Sequence, residues 1–244
     1  MTRKRMVLLG VATFVLGCII LFPARIAIGW FAPPGVQFSG VSGTLWNGQA
    51  MHGVAADIYL NNTTWSFKPL ALLTGKASLD FSTQTTAGRI NGNVAAGITG
   101  AITLSDFTGR LSLSAIHPAL AQNGVEGSVD VQMETVVLKD GFPTDAAGIV
   151  LLNSLTTRAF GNESLGSYRA TISSSDDGII AQVEDTAGPV DLTGNASLTS
   201  DRLYLFTGLV GETASTPPII RQNLRFLGSA DENGQREFRF EGSL

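Results

Sequence analysis

Cysteine and histidine are scarce in this 244-residue chain, and their scarcity excludes several kinds of chemistry. The single cysteine, Cys18, lies inside an uncharged apolar segment. The rest of the chain therefore has no disulfide framework, thiolate metal site or cysteine nucleophile. The two histidines, His52 and His117, have no acidic residue or second histidine at metal-ligand spacing. We interpret both as surface or turn residues and predict no metal ligand.

Recognisable catalytic motifs are also missing. The sequence contains no G-x-S-x-G elbow, phosphate-binding loop or dinucleotide fingerprint. The run Asp176-Asp177-Gly178 resembles the start of a calcium loop, but the spaced carboxylates and the distal glutamate are absent. A hairpin turn is predicted there instead. By exclusion we predict no catalytic residue, no cofactor and no enzyme, and an enzyme with an unusual site is the weakest hypothesis.

Charge is sparse and becomes mostly negative after the first 25 residues. Four of the 16 lysines and arginines (Arg3, Lys4, Arg5 and Arg25) flank the apolar segment, which leaves 12 against 20 acidic residues. Nucleic acids and anionic membrane surfaces bind clustered cations. The acidic body therefore has neither as a predicted partner.

One long apolar run, residues 6–24, carries no charge and follows three cations directly. As a helix it would span roughly 28 Å, close to the thickness of a bilayer's hydrocarbon core, and the preceding cations would hold the N-terminus in the cytoplasm. We predict a cytoplasmic N-terminus at residues 1–5, a transmembrane signal-anchor at 6–24 and a juxtamembrane linker at 25–35. The residues expected to face lipid are Met6, Leu9, Phe14, Leu16, Ile20 and Phe22.

A cleaved signal peptide and a lipoprotein signal are two alternatives for the same segment. A cleavable signal has about 7–15 apolar residues before a small-residue site, whereas this run continues through Phe22 into the poor site Pro23-Ala24-Arg25. Val15-Leu16-Gly17-Cys18 resembles a lipoprotein box but lacks the polar linker that normally follows. An uncleaved anchor is favoured.

Residues 36–244 have a β composition, with short alternating stretches between Gly, Asn and Asp turn signals. Their spacing of 8–14 residues indicates an antiparallel meander. The predicted fold is mainly β: one N-terminal transmembrane helix, then a long curved antiparallel sheet, bent like a taco or a half-barrel, with a few short helices. The predicted strands are 36–39, 50–60, 63–67, 76–83, 89–98, 101–106, 109–114, 127–138, 148–154, 167–173, 179–184, 190–199, 203–209 and 237–241.

Turns, short helices and two aromatic residues complete the prediction. Asn61-Asn62 is predicted as a hairpin turn, and Lys139-Asp140-Gly141 is predicted as a further turn. The helical stretches are 69–73, 117–120 and 217–227, the last with Thr216 as N-cap and Gly228 as its stop. Trp46 and Trp65 are candidate partner-binding residues, although packing in the core or on a sheet face is the favoured alternative.

Four stretches together resemble one known family. They are residues 22–48, Trp65 to Gly75, Gly188 to Gly194 with the strands after it, and Leu224 to Gly242. In this order they resemble type II secretion system protein N of Gram-negative bacteria. The resemblance implies a single-pass inner-membrane protein with its bulk in the periplasm. It also implies an accessory role in moving folded proteins through an outer-membrane channel, without a catalytic motif.

Two functional hypotheses follow for the sheet. In the first, its exposed edge strands and apolar concave face bind other secretion components, either the inner-membrane platform or the outer-membrane channel, by strand addition. In the second, the same face is a groove, and the protein is a periplasmic carrier of lipid or another hydrophobic ligand in the bacterial envelope. A long sheet with few covering helices must bury one face in some such way.

Overall fold

The computed structural model describes residues 3–32, 35–55, 58–116, 120 and 122–243. As predicted, these residues are mainly β, with antiparallel strands and a few short helices. They fall into two compact units, Met1–Thr85 and Thr86–Leu244.

The first unit begins with helices and continues with strands. Its helices are α1 (Arg3–Ile20) and α2 (Ala24–Phe31), with a 3₁₀ helix at Pro69–Thr74. Its strands are β1 (Val36–Ser39), β2 (Ser42–Gly43), β3 (Asn47–Ala55), β4 (Ile58–Phe67) and β5 (Lys76–Gln84).

The second unit is almost entirely strands. They are β6 (Arg89–Gly97), β7 (Ile102–Ser112), β8 (Val125–Lys139), β9 (Phe142–Thr157), β10 (Ser164–Ser175), β11 (Gly178–Ala187), β12 (Val190–Thr199), β13 (Leu203–Glu212) and β14 (Gln235–Ser243). The helices are α3 (Leu113–Ile116) and α4 (Pro218–Leu224), with 3₁₀ helices at Arg158–Phe160 and Arg225–Leu227.

The helix predicted over residues 6–24 is wrong in its extent, because α1 ends at Ile20. Pro23 has no N–H to continue the helix and biases Phe22 toward an extended backbone. The carbonyl of Phe22 instead accepts a hydrogen bond from the Leu45 N–H at 2.9 Å, and Pro23 forms an isolated β-bridge with Thr44. The segment predicted as a linker, 25–35, contains most of α2.

In the part of the chain that the structure describes, no helix combines the length and the apolar character needed to cross a membrane. The predicted transmembrane helix is therefore not confirmed.

In the first unit β1 and β2 pair with one side of the hairpin strand β3, and β4 and β5 follow, all antiparallel. The predicted hairpin turn at Asn61-Asn62 is wrong, because β3 and β4 pair from Asn47↔Ser66 to Ala55↔Ile58. Asn62 has a φ of 49°, and the β4–β5 register shifts at this point. The asparagine pair therefore lies in a β-bulge. Asn62 has the left-handed backbone there, which Asn tolerates better than most residues.

In the second unit each strand from β6 to β14 pairs antiparallel with the next along the chain. Two predicted turns are confirmed. Asp140 and Gly141, both with positive φ, join Lys139 to Phe142, as a type I′ hairpin requires. Asp176-Asp177 joins Ser175 to Gly178.

The two strands predicted over 101–106 and 109–114 are one strand, β7. Asp106 has a φ of 50°, and the β6–β7 register shifts beside it. A bulge inside the strand therefore stands where the sequence predicted a break.

Each unit has its own small core. In the first, Ala24 of α2 is buried with Val41 and Ala50, and Ile28, Phe38 and Trp65 pack around them. In the second, α4 lies over β12–β14, and the buried residues are Val190, Val210, Ile220, Leu224 and Phe238.

Candidate functional site

An apolar cleft of about 540 Å³ lies in the second unit. Strands β9–β13 supply one wall, and α4 with the turn that follows it supplies the other. We call residues 213–230, which hold α4 and this turn, the cover segment. The residues that line the cleft are Leu152, Leu155, Phe160, Leu165, Tyr168, Val183, Val190, Leu192, Phe206, Ile220, Asn223, Leu224, Phe226 and Leu227.

The spacing of apolar residues in α4 explains how the cover segment attaches. Ile220 and Leu224, four residues apart, lie on one side of the helix and are 2% and 8% exposed. Ile219, on the adjacent side, is 38% exposed. The sequence predicted one helix over 217–227, whereas the structure has α4, a 3₁₀ turn and then Gly228 with a φ of 112°.

Thr216 is not the helix N-cap that the sequence predicted, because Pro217 occupies that position without a side-chain cap. The Thr216 hydroxyl is buried and lies 2.5 Å from the carbonyl oxygen of Pro189. It also accepts a hydrogen bond from the Thr213 N–H at 2.7 Å. The threonine thus joins the start of the cover segment to the start of β12.

An arginine–glutamate–arginine cluster joins the other parts of the cover segment to the sheet. Glu212, at the end of β13, contacts Arg221 of α4 at 2.9 Å and Arg236 of β14 at 3.4 Å. The Arg236 Nε also donates to the carbonyl of Gly228 at 3.2 Å. The Arg236 side chain is only 11% exposed, so its charge depends on Glu212 for compensation.

The few polar groups in the cleft wall are already bonded to the backbone. The Tyr168 hydroxyl donates to the carbonyl of Leu165 at 2.5 Å, and burial, helped by nearby Asp185, raises the pKa of Tyr168 to about 12. The Asn223 amide donates to the carbonyl of Ile219 at 2.8 Å. The wall therefore presents mainly hydrocarbon to whatever enters.

A polar cluster lies on strands β7–β9 of the same unit. Arg110 donates two hydrogen bonds to Asp130, at 2.5 and 2.9 Å, and Asn153 donates a third at 2.9 Å. The hydrogen bond from Arg110 lowers the pKa of Asp130, and the same contact raises the pKa of Arg110. The carboxylate of Asp130 is thus matched by the guanidinium of Arg110 and held by Asn153.

The two tryptophans proposed as partner-binding residues lie in the first unit, where α1, α2 and the first strands meet. The Trp46 Nε1 donates to the carbonyl of Ile19 at 2.8 Å, and its ring packs edge-on against Phe67 at 5.2 Å. The Trp65 Nε1 donates to the carbonyl of Leu45 at 3.3 Å. Both side chains are half-buried, in agreement with the packing alternative, and their role toward a partner stays a prediction.

The residues predicted to face lipid divide into two groups. Five of them lie on α1 with more than half of their surface exposed, from Ile20 at 54% to Phe14 at 73%. Phe22 lies beyond the helix, is half-buried, and contacts the Trp30 ring at a centroid distance of 5.8 Å. The five on α1 are Met6, Leu9, Phe14, Leu16 and Ile20.

Histidine and metal sites add nothing to these features. His52 is exposed on β3, where its Nδ1 lies 3.1 Å from Oδ1 of Asn61, and His117 lies outside the described residues. Among the residues that the structure describes, no group of three His, Cys, Asp or Glu side chains could hold a metal ion.

The sequence led to the hypothesis of an apolar groove on a sheet face, but it identified none of the residues that line this cleft. Its one local signal was the i, i+4 pair Ile220 and Leu224. The remaining wall residues are separated in sequence and meet only through strand pairing.

Comparisons with known proteins match most of the chain to one family. The family model described as type II secretion system (T2SS), protein N, matches residues 34–239. The chain belongs to this family. Type II secretion system protein N of Aeromonas hydrophila is 26% identical over 237 residues, covering 87% of this chain and 86% of the relative.

Two further relatives carry the same name. The protein N of Pectobacterium carotovorum subsp. carotovorum is 23% identical, covering 91% of this chain and 90% of the relative. The protein N of Vibrio cholerae serotype O1 is also 23% identical, covering 93% of this chain and 92% of the relative. No solved structure matches the chain. Membership in the protein N family identifies the chain as a type II secretion component and provides no evidence of catalysis.

Proposed function

We propose that this protein is an accessory, non-enzymatic component of type II secretion. In this proposal α1 tethers it to the inner membrane with its N-terminus in the cytoplasm. The β-rich residues 36–244 lie in the periplasm and bind other secretion components. The family match over residues 34–239 carries the proposal.

The exposure of α1 supports membrane attachment. From Met6 to Ile20 the helix carries no charged residue, and its large apolar side chains are exposed in every direction. A helix that is apolar all round needs an apolar environment, because water would otherwise surround its whole hydrocarbon surface. A bilayer supplies that environment.

Membrane extraction tests this attachment. The wild-type protein should remain with membranes after alkaline carbonate washing. Leu9→Arg together with Phe14→Arg should release most of it, since each arginine near the centre of an inserted helix costs about 2.5–3.5 kcal/mol. Leu73→Arg is the matched control, because Leu73 is 85% exposed on the 3₁₀ helix outside α1. Retention of the double variant would contradict anchoring by α1.

The last strand supports binding by strand addition. In the described residues β14 ends the strand order and pairs only with β13, so one row of its backbone groups is open to another strand. Charged side chains of Glu237, Arg239 and Glu241 alternate along it. This pattern discourages unselective pairing while leaving a specific partner strand able to dock.

Site-specific photocrosslinking in cells tests this contact. A photoreactive residue at Glu237, on β14, should capture a component of the secretion platform or of the outer-membrane channel. The same probe at Glu184 is the control, because Glu184 is also exposed but lies on β11, between β10 and β12. Equal capture at both positions would contradict a role for the edge.

Secretion itself tests the function. Deletion of the gene should cause a type II substrate to accumulate in the periplasm, and the full-length chain should restore its release. Normal secretion together with an altered envelope lipid content would instead favour the lipid-carrier hypothesis.

A further inference from the structure

We propose that the apolar cleft under the cover segment binds one long acyl chain, and that the preferred ligand is a single-chain anionic lipid, a long-chain fatty acid. This site lies in the second unit, and no residue of β14 lines it, so it is distinct from the proposed secretion-partner site on that strand.

The size of the cleft selects a narrow occupant. Its volume, about 540 Å³, falls within the range of small-molecule pockets. A helix two turns long and 10 Å across occupies about 800 Å³, so an amphipathic helix from a partner is too large. A hydrocarbon chain is thin enough to lie between α4 and the strands, whereas a second chain would need further space.

The chemistry of the wall selects an apolar occupant. Aliphatic and aromatic side chains form nearly all of the lining. The two polar exceptions, Tyr168 and Asn223, donate to backbone carbonyls of their own segments. A sugar, nucleotide or peptide backbone would leave its polar groups without partners here, at a cost of about 1–3 kcal/mol for each group. A hydrocarbon chain has no such groups.

The cover segment supplies the charge for an acidic headgroup. Residues 213–230 contain Arg221 and Arg225 and no acidic residue. Glu212 is shared between Arg221 and Arg236, so one glutamate faces two arginines. Arg225 is exposed and stands directly before Phe226, which lines the cleft yet is 83% exposed. We therefore place the mouth of the cleft at Phe226, and Arg225 in the same turn is the cation that would meet a carboxylate there.

Photoaffinity labelling of the full chain in membranes tests the site. The probe is palmitic acid with a diazirine near the end of its acyl chain, and labelled peptides are identified by mass spectrometry. We expect labelling within residues 150–170 and 217–228, and excess unlabelled palmitate should compete it away. Labelling confined to α1, which any membrane-dissolved probe can reach, would overturn the proposal.

Variants on β11 separate the cleft from the opposite face of the sheet. Val183→Trp places a ring in the cleft and should reduce labelling of the cleft peptides by about tenfold, because little free volume remains. Ile180→Trp is the matched control on the other face of the same strand, and it should label like the wild type. Unchanged labelling in a Val183→Trp variant that melts like the wild type would overturn the proposal.

Two exposed positions allow the same test without disturbing the core. Phe226→Ala should lower cleft labelling several-fold with little effect on melting, since the side chain is mostly in solvent. Arg225→Gln should weaken labelling by the palmitate probe but not by the matching diazirine-bearing hexadecanol, which has no carboxylate. If both probes label both variants as strongly as they label the wild type, the proposed mouth is wrong.

Discussion

The indole Nε1 of Trp46 donates a hydrogen bond to the carbonyl oxygen of Ile19 at 2.8 Å, across 27 residues of sequence. Ile19 lies in the last turn of α1, where carbonyl groups lack the usual i+4 partner, and its carbonyl also accepts a hydrogen bond from the Phe22 N–H at 3.3 Å. Leu45 N–H donates to the carbonyl of Phe22, and Arg25 Nε donates to that of Val41 at 2.8 Å. Three hydrogen bonds therefore join the end of α1 and the start of α2 to the segments that flank β2.

We call residues 19–27 together with residues 41–46 the corner. Trp46→Phe should loosen this corner while keeping the aromatic packing on Phe67. We expect a loss of about 1 kcal/mol in unfolding free energy, the usual value of one hydrogen bond. Amide hydrogen exchange should rise selectively at Leu45 and Ala27, whose N–H groups bond within the corner. Leu203→Ala, 53% exposed in the second unit, is the control and should leave that exchange unchanged. An unaffected corner in Trp46→Phe would mean that the indole hydrogen bond is dispensable.

Replacing each of two glycines on β13 by alanine should cause very different losses of stability. A Cβ at Gly208 would lie against the carbonyl oxygen of Thr193, 2.6 Å from Cα of Gly194 and 2.9 Å from the Phe238 ring. We expect Gly208→Ala to cost about 1–3 kcal/mol through overpacking. A Cβ at Gly211 would lie 3.3 Å from the flexible side chain of Gln235, so Gly211→Ala should change stability by less than about 1 kcal/mol. Urea unfolding of both variants measures the difference, and equal losses would refute it.

Replacing each of two neighbouring isoleucines on α4 by alanine should also cause unequal losses of stability. Ile220 is 2% exposed, and Ile220→Ala should destabilise the second unit by about 2–5 kcal/mol because it leaves a cavity under the helix. Ile219 is 38% exposed, so Ile219→Ala should cost much less. Thermal unfolding gives both values. The prediction fails if the two variants unfold at the same temperature.

The Arg110–Asp130 pair should make stability depend on pH in the acid range. The pKa of Asp130 is lowered in the folded chain from the ordinary value of about 3.9. The stabilisation is therefore fully present above about pH 4 and is lost as the pH falls through the pKa of Asp130 in the folded chain. Asp130→Asn should therefore lose less stability than the wild type between pH 5 and pH 2.5. Asp176→Asn, in an exposed turn, is the control and should follow the wild type. The urea midpoints at the two pH values provide the measurement, and a parallel fall in Asp130→Asn would contradict the assignment.

Local sequence signals predicted much of the fold, and each failure has a physical cause. The turns at Asp140-Gly141 and Asp176-Asp177 were predictable because a two-residue hairpin depends on residues at the turn itself. Asn62 and Asp106 have the same turn-forming character but lie in bulges. Only the pairing of neighbouring strands decides whether a left-handed residue reverses the chain or bends it.

The candidate sites show the same division. The exposed apolar surface of α1 was predictable from an uncharged run, since no strand pairing is needed to define it. Trp46 was a candidate for partner binding, yet its indole bonds to Ile19, a residue that nothing in the local sequence links to it.

By itself the sequence determined the β class, the apolar N-terminal helix, the absence of recognisable catalytic motifs and the resemblance to protein N. These depend on composition, short-range periodicity and residue types. The tertiary structure decided where α1 ends, which residues form bulges and where a cleft opens. The cleft exists because Leu152, Val183 and Ile220 come together only when β9, β11 and α4 pack in one unit. Long-range contacts of this kind leave no periodic signal in the chain.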